Sequence, residues 1–433
     1  MSDALALPDD GALHEAVRTL RRPATIRERC AAIAAAATAG GSPHFEIDLR
    51  RLPEIAQRVA RVTRERYPAL AIPLHSRWRH FEAGGIDRKA ELDARLASRS
   101  STAVARAQID LALISVLLDA GAGAGWSYHE RESGLRLQRS EGLAVASLRA
   151  FMAGRFSSDA GDPCRVDAVA LLRMNAATLA DIFQVSAANP LVGLDGRAAL
   201  LRRLGEALRA QPQTFTASGQ PGHLFDALTH HAHAPRMNHH RPVPGATRHH
   251  HLTAARLLGA LLDAFSGIWP SGRSLGGIAL GDVWPHPHAG GHGASAGWVP
   301  LHKLSQWLAY SLIEPFDWAG VEVTELDALT ALAEYRNGGL LIDGGVIVPR
   351  DAGFAARRFT PADEWIVEWR ALTVALVDAL VPLVREALGA SADELPLARL
   401  LEGGTWAAGR EIAAERREGG APPVSVASDG TLF

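Results

Sequence analysis

Apolar residues recur at helical spacing along most of the chain. This spacing predicts helices over residues 23–38, 48–67, 98–120, 141–153, 165–184, 196–210, 252–266, 300–314, 325–335 and 361–389. Thr360 as N-cap and Pro361 at the first helical position mark the start of the last helix. Alternating apolar residues at 45–49 and a glycine-bounded apolar run at 338–349 predict short strands. The fold class expected is mainly α, a large helical protein with a few short strands.

Two stretches interrupt the helical pattern. Residues 211–251 are rich in His, Pro and Gln, and residues 267–299 are rich in Gly, Pro and Trp. Long irregular segments inside a compact protein are usually functional or disordered. We therefore expect a His-rich loop at 211–251.

Composition narrows the class of protein. With 47% hydrophobic and 21% charged residues, the 433-residue chain has ordinary globular composition. The net charge of -2 excludes a chain-wide basic field for nucleic acid. Cys30 and Cys164 form no disulfide framework. The acidic start does not resemble a signal peptide, and no apolar run reaches the roughly 18 residues of a membrane span. We expect a cytoplasmic protein without membrane or nucleic-acid partners.

Histidines concentrate in one segment of the chain. Nine of the 18 lie between His223 and His251. Neutral imidazole is a common zinc ligand, but the spacing matches no metal signature. A solvated His-rich loop is the favoured interpretation, and no metal site is expected.

A glycine-rich turn and a Gly-Asp turn offer candidate binding residues. The segment LDAGAGAGWSYHE (118–130) lacks the Lys-Ser/Thr of a P-loop, so it is interpreted as a turn that presents Trp126, Tyr128 and Glu130. Aromatic rings can stack on a flat ligand, although core packing explains them equally well. The segment GDVWPHPHAGG (281–291) adds Asp282 and Trp284, and an aspartate after glycine is also common in turns.

Charged residues cluster in the C-terminal half. Lys303 and Gln306 share a helical face, and the segment 323–345 supplies further candidates, namely Glu325, Asp327, Glu334, Arg336 and Asp343. Glu368 and Arg370 enter a very apolar helix. Buried charges are unfavourable unless they are paired, so both a ligand site and a structural salt-bridge network remain open.

Several of these segments resemble a known family. The matching stretches are LDAGAGAGWSYHE, RSEGLAVASL, FQVSAANPLVGLDGR, GDVWP, HKLSQWLAYSLIEP, EYRNGGLLIDGGV, VEWRALTVAL, GTWAAGREIAAERR and SDGTLF. They resemble the uracil catabolism protein 4 family, known as a domain of unknown function. The resemblance implies a role in a pyrimidine breakdown route that releases urea through ribosylurea-type intermediates. It divides the chain into an N-terminal helical region, 1–110, and a family core, 111–433, which we expect to form one integrated unit.

A second resemblance covers residues 296–385. The order of Lys303 and Gln306, then ALAEYR, then VEWRALTVALVDAL is similar to the queuosine-nucleotide salvage N-glycosidases. That resemblance implies a helical core like that of DNA glycosylases. It also implies an essential acid nine residues before the acidic-Tyr-Arg triplet, here Glu334, Tyr335 and Arg336, which places it at Glu325. That family usually has Asp at this position, and Val323 replaces its stacking Phe.

Together the two resemblances imply hydrolysis of the N-glycosidic bond of a ribosylurea. Glu325 is expected to stabilise the oxocarbenium-like sugar, with Glu334, Asp282 or a histidine assisting the leaving group. Lys303 and Arg336 are candidates for a phosphate, and Arg370 is expected to pair with Glu368 or Glu334.

The expected pocket needs neither metal nor cofactor. Trp126, Tyr128 and Trp284 are expected to wall it, and the partner is a small ribosyl substrate. The alternatives are a non-catalytic binding or assembly protein, and a metal-dependent ureide or amide hydrolase that uses the histidines. Phosphorylation of the substrate and the oligomeric state stay open.

Overall fold

Helices form most of the computed structural model, which describes residues 10–123, 125–230, 250–269, 272–427 and 430–431. The helices are α1 (Asp10–Leu20), α2 (Pro23–Thr38), α3 (Leu52–Arg66), α4 (Arg77–Phe81), α5 (Arg88–Leu96), α6 (Ser101–Leu117), α7 (Arg139–Met152), α8 (Ala168–Leu172), α9 (Ala176–Ile182), α10 (Leu194–Arg209), α11 (Pro212–Phe215), α12 (Leu224–His230), α13 (Ala254–Phe265), α14 (Lys303–Trp318), α15 (Tyr335–Asp343), α16 (Glu364–Leu388), α17 (Leu397–Leu400) and α18 (Trp406–Arg416). A π-helical turn, Leu401–Thr405, joins the last two. The mainly α prediction is confirmed.

The strands are short and pair two by two among the described residues. They are β1 (Phe45–Ile47), β2 (Ser127–His129), β3 (Arg136–Gln138), β4 (His250–Thr253), β5 (Arg273–Leu275), β6 (Ile278–Gly281), β7 (Val283–Pro285), β8 (Trp298–Pro300), β9 (Val321–Thr324), β10 (Ile347–Pro349), β11 (Arg358–Phe359) and β12 (Ser425–Val426). The pairs β1–β10, β2–β3, β5–β6 and β7–β8 are antiparallel. The pairs β4–β9 and β11–β12 are parallel.

The long helix α16 organises the core. Its residues from Trp365 to Thr373 are almost all buried, and it packs against α2, α3 and α15. Helix α6 packs against α14 in the same apolar cluster, which extends from Ile26 to Val424. The first hundred residues and the C-terminal half therefore share one core, and position 110 lies inside α6. No helix in the described ranges combines the length and the apolar character needed to cross a membrane.

Most of the predicted helices are present, but three predictions differ. The helix expected at 165–184 is two short helices, α8 and α9, separated by Asn175, which caps the second one. The helix expected at 325–335 is wrong, because only a short 3-10 turn, Leu326–Ala328, forms there. The strand expected at 338–349 is wrong as well: α15 takes up its first half, and only Ile347–Pro349 is extended.

The glycines that suggested a strand at 338–349 serve helix packing instead. A Cβ atom built on Gly338 would lie 2.7 Å from Trp369 Cε2 and 2.7 Å from Thr373 Oγ1. Only glycine lets α15 approach α16 this closely, because any side chain would overlap these two residues. Glycine here reflects packing against a neighbouring helix, which periodicity does not reveal.

The start of α16 also differs from its prediction. Asp363 is the N-cap, not Thr360, and Asp363 Oδ2 accepts a hydrogen bond of 2.7 Å from the Thr360 backbone N–H. The Asp side chain thus organises the preceding turn, and the helix begins three residues after Pro361.

The His-rich stretch is only partly irregular. Helices α11 and α12 occupy much of residues 212–230, and β4 begins at His250. The remainder of that predicted loop, residues 231–249, lies outside the described residues. Both cysteines are buried and unpaired with each other.

Candidate active site

A cavity of about 540 Å³ lies where seven separate segments of the chain meet. It is lined by residues 75–80 around the start of α4, the turn after α6, the start of α7, the start of α14, the start of α15, the π-helical turn with α18, and residues 418–426. Its polar side chains are His75, His80, Asp119, Arg139, Ser140, Lys303, Glu334, Arg336, Asn337 and Glu418. A concave site with a few converging polar groups is the usual form of a small-molecule site.

Glu334 forms the N-cap of α15 and lines this cavity. Its Oε1 accepts a hydrogen bond of 2.6 Å from the Asn337 backbone N–H, and its Oε2 accepts one of 2.7 Å from that of Arg336. Burial raises the pKa of Glu334, although these two backbone hydrogen bonds and the Lys303 charge oppose the rise. The result is a fixed carboxyl group that holds its proton more readily than an exposed glutamate.

Asp119 faces the cavity from the end of α6. The Arg77 guanidinium lies 2.7 Å from Asp119 Oδ1, and Trp307 Nε1 donates a hydrogen bond of 3.2 Å to Oδ2. Arg77 is fully buried and donates to the Ser115 hydroxyl at 2.7 Å. The carboxylate of Asp119 is therefore held in place by groups that favour its negative charge.

One arginine side chain holds the turn that carries Asp119 in place. Arg197 is fully buried and donates hydrogen bonds to the backbone carbonyls of Leu118, Ala120 and Gly121. The chain leaves this turn through Gly123 at φ +82°, as the glycine-rich sequence predicted. The helix end and the Gly-rich run therefore place Asp119 at the cavity wall.

Lys303 brings a positive charge to the same wall. It is the first residue of α14, and its ammonium makes no hydrogen bond or ion pair with any residue in the described ranges. Burial lowers the pKa of Lys303, whereas the nearby carboxylates of Glu334 and Asp119 raise it. Lys303 thus lies within electrostatic reach of both acids without being bound to either.

Aromatic rings and two histidines form the remaining walls. Trp307, Tyr335 and Trp406 line the cavity. The His75 ring centroid lies 4.6 Å from that of Trp307, and His75 Nδ1 lies 2.9 Å from the Glu402 carboxylate. These flat surfaces suit the apolar faces of a sugar or a planar ureide.

His80 is a neutral group at the cavity wall. Burial, followed by the neighbouring Arg77 charge, lowers the pKa of His80 to about 4. The imidazole is therefore uncharged at physiological pH, and it adds no positive charge to the wall.

The π-helical turn Leu401–Thr405 shapes one side of the cavity. A Cβ atom on Gly404 would lie 2.4 Å from Thr63 Oγ1 and 2.8 Å from the Val59 carbonyl oxygen, so this turn can approach α3 only with glycine. π-Helical turns inside helices are frequent at functional sites. Here the turn brings Leu401 and Trp406 to the cavity.

Four residues singled out by the sequence line this cavity, namely Lys303, Glu334, Tyr335 and Arg336. Glu325 does not. It is exposed, with φ +55°, at the start of the short turn Leu326–Ala328. That position was carried over from the resemblance to the queuosine-nucleotide salvage N-glycosidases, and in this structure residues 325–334 hold only the short turn Leu326–Ala328 before α15 begins.

Asp282 and Glu368 are buried and contact other charged or polar side chains instead of lining the cavity. Asp282 pairs with Arg370, with an Nη2–Oδ2 distance of 2.7 Å. Glu368 lies 3.6 Å from His286 Nε2. Arg370 therefore pairs with Asp282, and the predicted pairing with Glu368 or Glu334 is replaced. These charges serve the core rather than the cavity.

Two candidates from the glycine-rich segment also contribute to packing. Trp126 is fully buried and donates a hydrogen bond of 2.9 Å to the Phe183 carbonyl oxygen. Glu130 accepts hydrogen bonds from Arg88 at 2.8 Å and from Arg149 at 2.7 Å. Tyr128, from the same segment, lines a separate and more open groove.

Three further candidates have structural partners as well. Trp284 donates to Asp282 at 2.6 Å, Gln306 donates to Thr330 at 2.6 Å, and Asp343 accepts from Arg417 at 2.8 Å. None of the three lines the cavity.

The sequence reasoning missed several residues of this cavity, namely His75, His80, Asp119, Arg139, Trp307, Asn337 and Trp406. Asp119 had a usable signal, because it lies directly before the glycine run that was recognised as a turn. Sequence reasoning chose Trp126 and Glu130, which follow that turn, and passed over the residue before it.

Across the described ranges, no group of three His, Cys, Asp or Glu side chains is arranged to hold a metal ion.

Comparison with known proteins supplies the family. A family model described as "Protein of unknown function (DUF1688)" matches residues 19–433. The chain is 38% identical over 425 residues to "Uracil catabolism protein 4" of Lachancea kluyveri, with 91% of this chain and 93% of that protein covered. It is also 38% identical over 397 residues to "Protein urg3" of Schizosaccharomyces pombe (strain 972 / ATCC 24843), with 90% and 92% covered. The chain therefore belongs to the DUF1688 family.

Proposed function

We propose that this chain acts in the breakdown of uracil and other pyrimidines by hydrolysing the N-glycosidic bond of a ribosylurea-type intermediate. The products are urea and a pentose. The name of the Lachancea kluyveri relative supports the pathway. The observation that carries the reaction is one cavity lined by Asp119, Glu334 and Lys303. Two carboxyl groups in different environments are what glycosidic bond hydrolysis requires.

Asp119 is assigned to the sugar side of the reaction. Cleavage of the C1′–N bond leaves positive charge on C1′ and the ring oxygen. A carboxylate that is already fixed by Arg77 and Trp307 stabilises this charge without having to reorganise. The same carboxylate can accept a proton from the water whose oxygen attacks C1′.

Glu334 is assigned to the leaving group. Urea leaves poorly as an anion, so its nitrogen must gain a proton as the C1′–N bond breaks. Because burial raises the pKa of Glu334, this carboxyl group can carry the proton to be donated. The neighbouring Lys303 charge then stabilises the carboxylate that remains. Water supplies the hydroxyl group on C1′, and its second proton is taken up by Asp119.

The size and walls of the cavity fit a small ribosyl substrate. A volume of about 540 Å³ lies within the range of about 300–1,000 Å³ that is common for small-molecule sites. The rings of Trp307, Tyr335 and Trp406 provide flat apolar surface for the sugar. No step in this scheme needs a metal ion or a nucleotide cofactor.

Release of urea from ribosylurea and from its 5′-phosphate tests the proposal. We expect wild type to cleave at least one compound, and Glu334→Gln to lose about a hundredfold or more in rate, the usual contribution of a general acid. Glu325→Gln is the matched control, because it makes the same change at an exposed site. Thermal unfolding should confirm that both variants are folded.

Three outcomes oppose the proposal in different ways. If neither compound is cleaved at high enzyme concentration, the reaction is wrong. If ribosylurea binds tightly without being cleaved, the chain is a binding protein of the pathway. If Glu325→Gln loses turnover while Glu334→Gln keeps it, the acid predicted from sequence is correct and the cavity assignment fails.

A further inference from the structure

Two arginines that line the cavity, the exposed Arg139 and the buried Arg336, bond to consecutive backbone carbonyls. Arg139 Nη2 donates a hydrogen bond of 3.2 Å to the Gly419 carbonyl oxygen, and Arg336 Nη1 donates one of 3.0 Å to that of Gly420. Because these carbonyls belong to consecutive residues, the two guanidinium groups share one part of the rim. A carbonyl oxygen orients a guanidinium group but does not neutralise its charge.

The backbone of Arg139 is unusual for an arginine. Its φ is +53°, in the left-handed region that favours glycine. It is also the first residue of α7, whose N-cap residue Gln138 forms no side-chain cap. A strained residue that persists at a cavity points to a function for its side chain, since glycine would relieve the strain at once.

Arg336 is held more rigidly than Arg139. It is 5% exposed, its guanidinium carbon lies 5.0 Å from the Tyr335 ring centroid, and its Nε has no hydrogen-bond partner among the described residues. Stacking on Tyr335 and the bond to Gly420 fix the guanidinium plane. A planar and preoriented guanidinium group is well suited to bind the oxygens of a phosphate.

The two arginines and the two acids belong to one cavity. Tyr335 lies beside all four: burial raises its pKa, the guanidinium groups of Arg336 and Arg139 lower it, and the carboxylates of Glu334 and Asp119 raise it. The exposed Glu418 also lies on the lining, and it can balance at most one of the two guanidinium charges. The rim therefore keeps an excess of positive charge next to the acidic reaction centre.

We infer that Arg139 and Arg336 form a phosphate subsite, so that the substrate is a phosphorylated ribosyl compound whose anionic group anchors it at the rim. This inference rests on the proposed function for the identity of the glycosidic bond, but the subsite itself can be tested without turnover. Anchoring a non-reacting phosphate would hold C1′ beside Asp119 and Glu334.

Calorimetric titration with ribose 5-phosphate and with ribose tests the subsite. Wild type should bind ribose 5-phosphate more tightly than ribose. Arg139→Gly should weaken binding of ribose 5-phosphate about tenfold, in line with the loss of one charged hydrogen bond, and should leave binding of ribose unchanged. Its melting temperature should stay equal or rise, because glycine accepts φ +53° without strain.

Arg256→Ala is the control for loss of a charge, because Arg256 is exposed on α13 and does not line the cavity. The inference is overturned if wild type binds ribose 5-phosphate no more tightly than ribose, or not at all. It is overturned equally if Arg139→Gly binds ribose 5-phosphate as wild type does. Binding of a sugar phosphate does not depend on urea release. Failure of the phosphate subsite can therefore be distinguished from failure of the proposed cleavage reaction.

Discussion

Asp282 and Arg370 form a buried two-point ion pair that supports the candidate active site without entering it. The two nitrogen–oxygen distances are 2.9 and 2.7 Å, and the residues are 3% and 1% exposed. Asp282 also accepts hydrogen bonds from Trp284 Nε1 and from the Lys303 backbone N–H. The carboxylate therefore joins α16 to the first residue of α14, and Lys303 points into the cavity from that fixed position.

Loss of this pair should destabilise the fold. Asp282→Asn leaves the Arg370 guanidinium buried without its counter-charge, which costs about 3–5 kcal/mol in comparable pairs. Guanidinium chloride unfolding should show a correspondingly lower free energy of unfolding. The pairing holds the pKa of Asp282 well below its usual range. Its stabilisation is therefore complete above the ordinary pKa of an aspartate and is lost progressively as the pH falls from there through the lowered pKa of Asp282.

The pH dependence of stability in the acidic range tests the role of Asp282. Wild type should lose stability steeply in acid, and Asp282→Asn should lose less over the same range because it has no carboxylate to protonate there. Equal unfolding midpoints for both proteins at neutral pH would contradict the structural role. The control is Asp263→Asn, an exposed aspartate, which should change little.

The pH dependence of turnover should report the ionisation of Glu334. A general acid must be protonated, so kcat/KM should fall as the pH rises through the raised pKa of this residue. Lys303→Met removes a charge that lowers the pKa of Glu334. The descending limb should therefore move to higher pH in this variant. Initial rates of urea release at constant ionic strength measure it, and an unmoved limb or a shift to lower pH would count against Glu334 as the acid.

Lys303 should also show opposite effects on stability and on activity. Lys303 is half-buried, and its ammonium donates no hydrogen bond to the described residues. Burial lowers its pKa, so the charged form is less stable in the folded protein than in water. Lys303→Met should raise the free energy of unfolding by about 1 kcal/mol and should reduce turnover. A variant that is both less stable and less active would show that Lys303 has only a structural role.

The sequence predicted the helical architecture because long helices have a repeated apolar face. It was less successful for the segment 325–349, where two elements were assigned incorrectly. There the close packing of α15 against α16, a helix distant in sequence, requires glycine, and no local pattern reveals this contact. The position of Glu325 was carried over from a family resemblance, and the structure places this residue at an exposed turn outside the cavity.

The candidate site was predicted only at the starts of α14 and α15. Lys303, Glu334, Tyr335 and Arg336 were recognised because two nearby segments carry them. Asp119 and Arg139 come from other parts of the chain, and Asp119 is brought to the cavity by contacts with Arg77 and Trp307. Such contacts arise only in the folded protein. For the same reason the sequence left open whether Arg370 serves a ligand site or a structural salt bridge, and it did not reveal its pairing with Asp282.

The close approach of α15 to α16 should be sensitive to a single methyl group. In Gly338→Ala the new Cβ would lie 2.7 Å from Trp369 Cε2 and from Thr373 Oγ1, both in the buried part of α16. Neither group can move freely, so α15 must shift, and we expect a loss of about 1–3 kcal/mol in stability. Because Glu334 caps α15, turnover should fall as well.

Gly259→Ala in α13 separates this packing effect from helix propensity. A Cβ atom at Gly259 meets nothing within 4 Å, so alanine should stabilise α13 by about 0.5–1 kcal/mol. The two variants make the same substitution inside helices and should change the free energy of unfolding in opposite directions. Thermal unfolding of both, with urea release as the second readout, measures the difference. If Gly338→Ala were as stable as wild type and fully active, α15 would have room to adjust, and the position of Glu334 would not depend on its contact with α16.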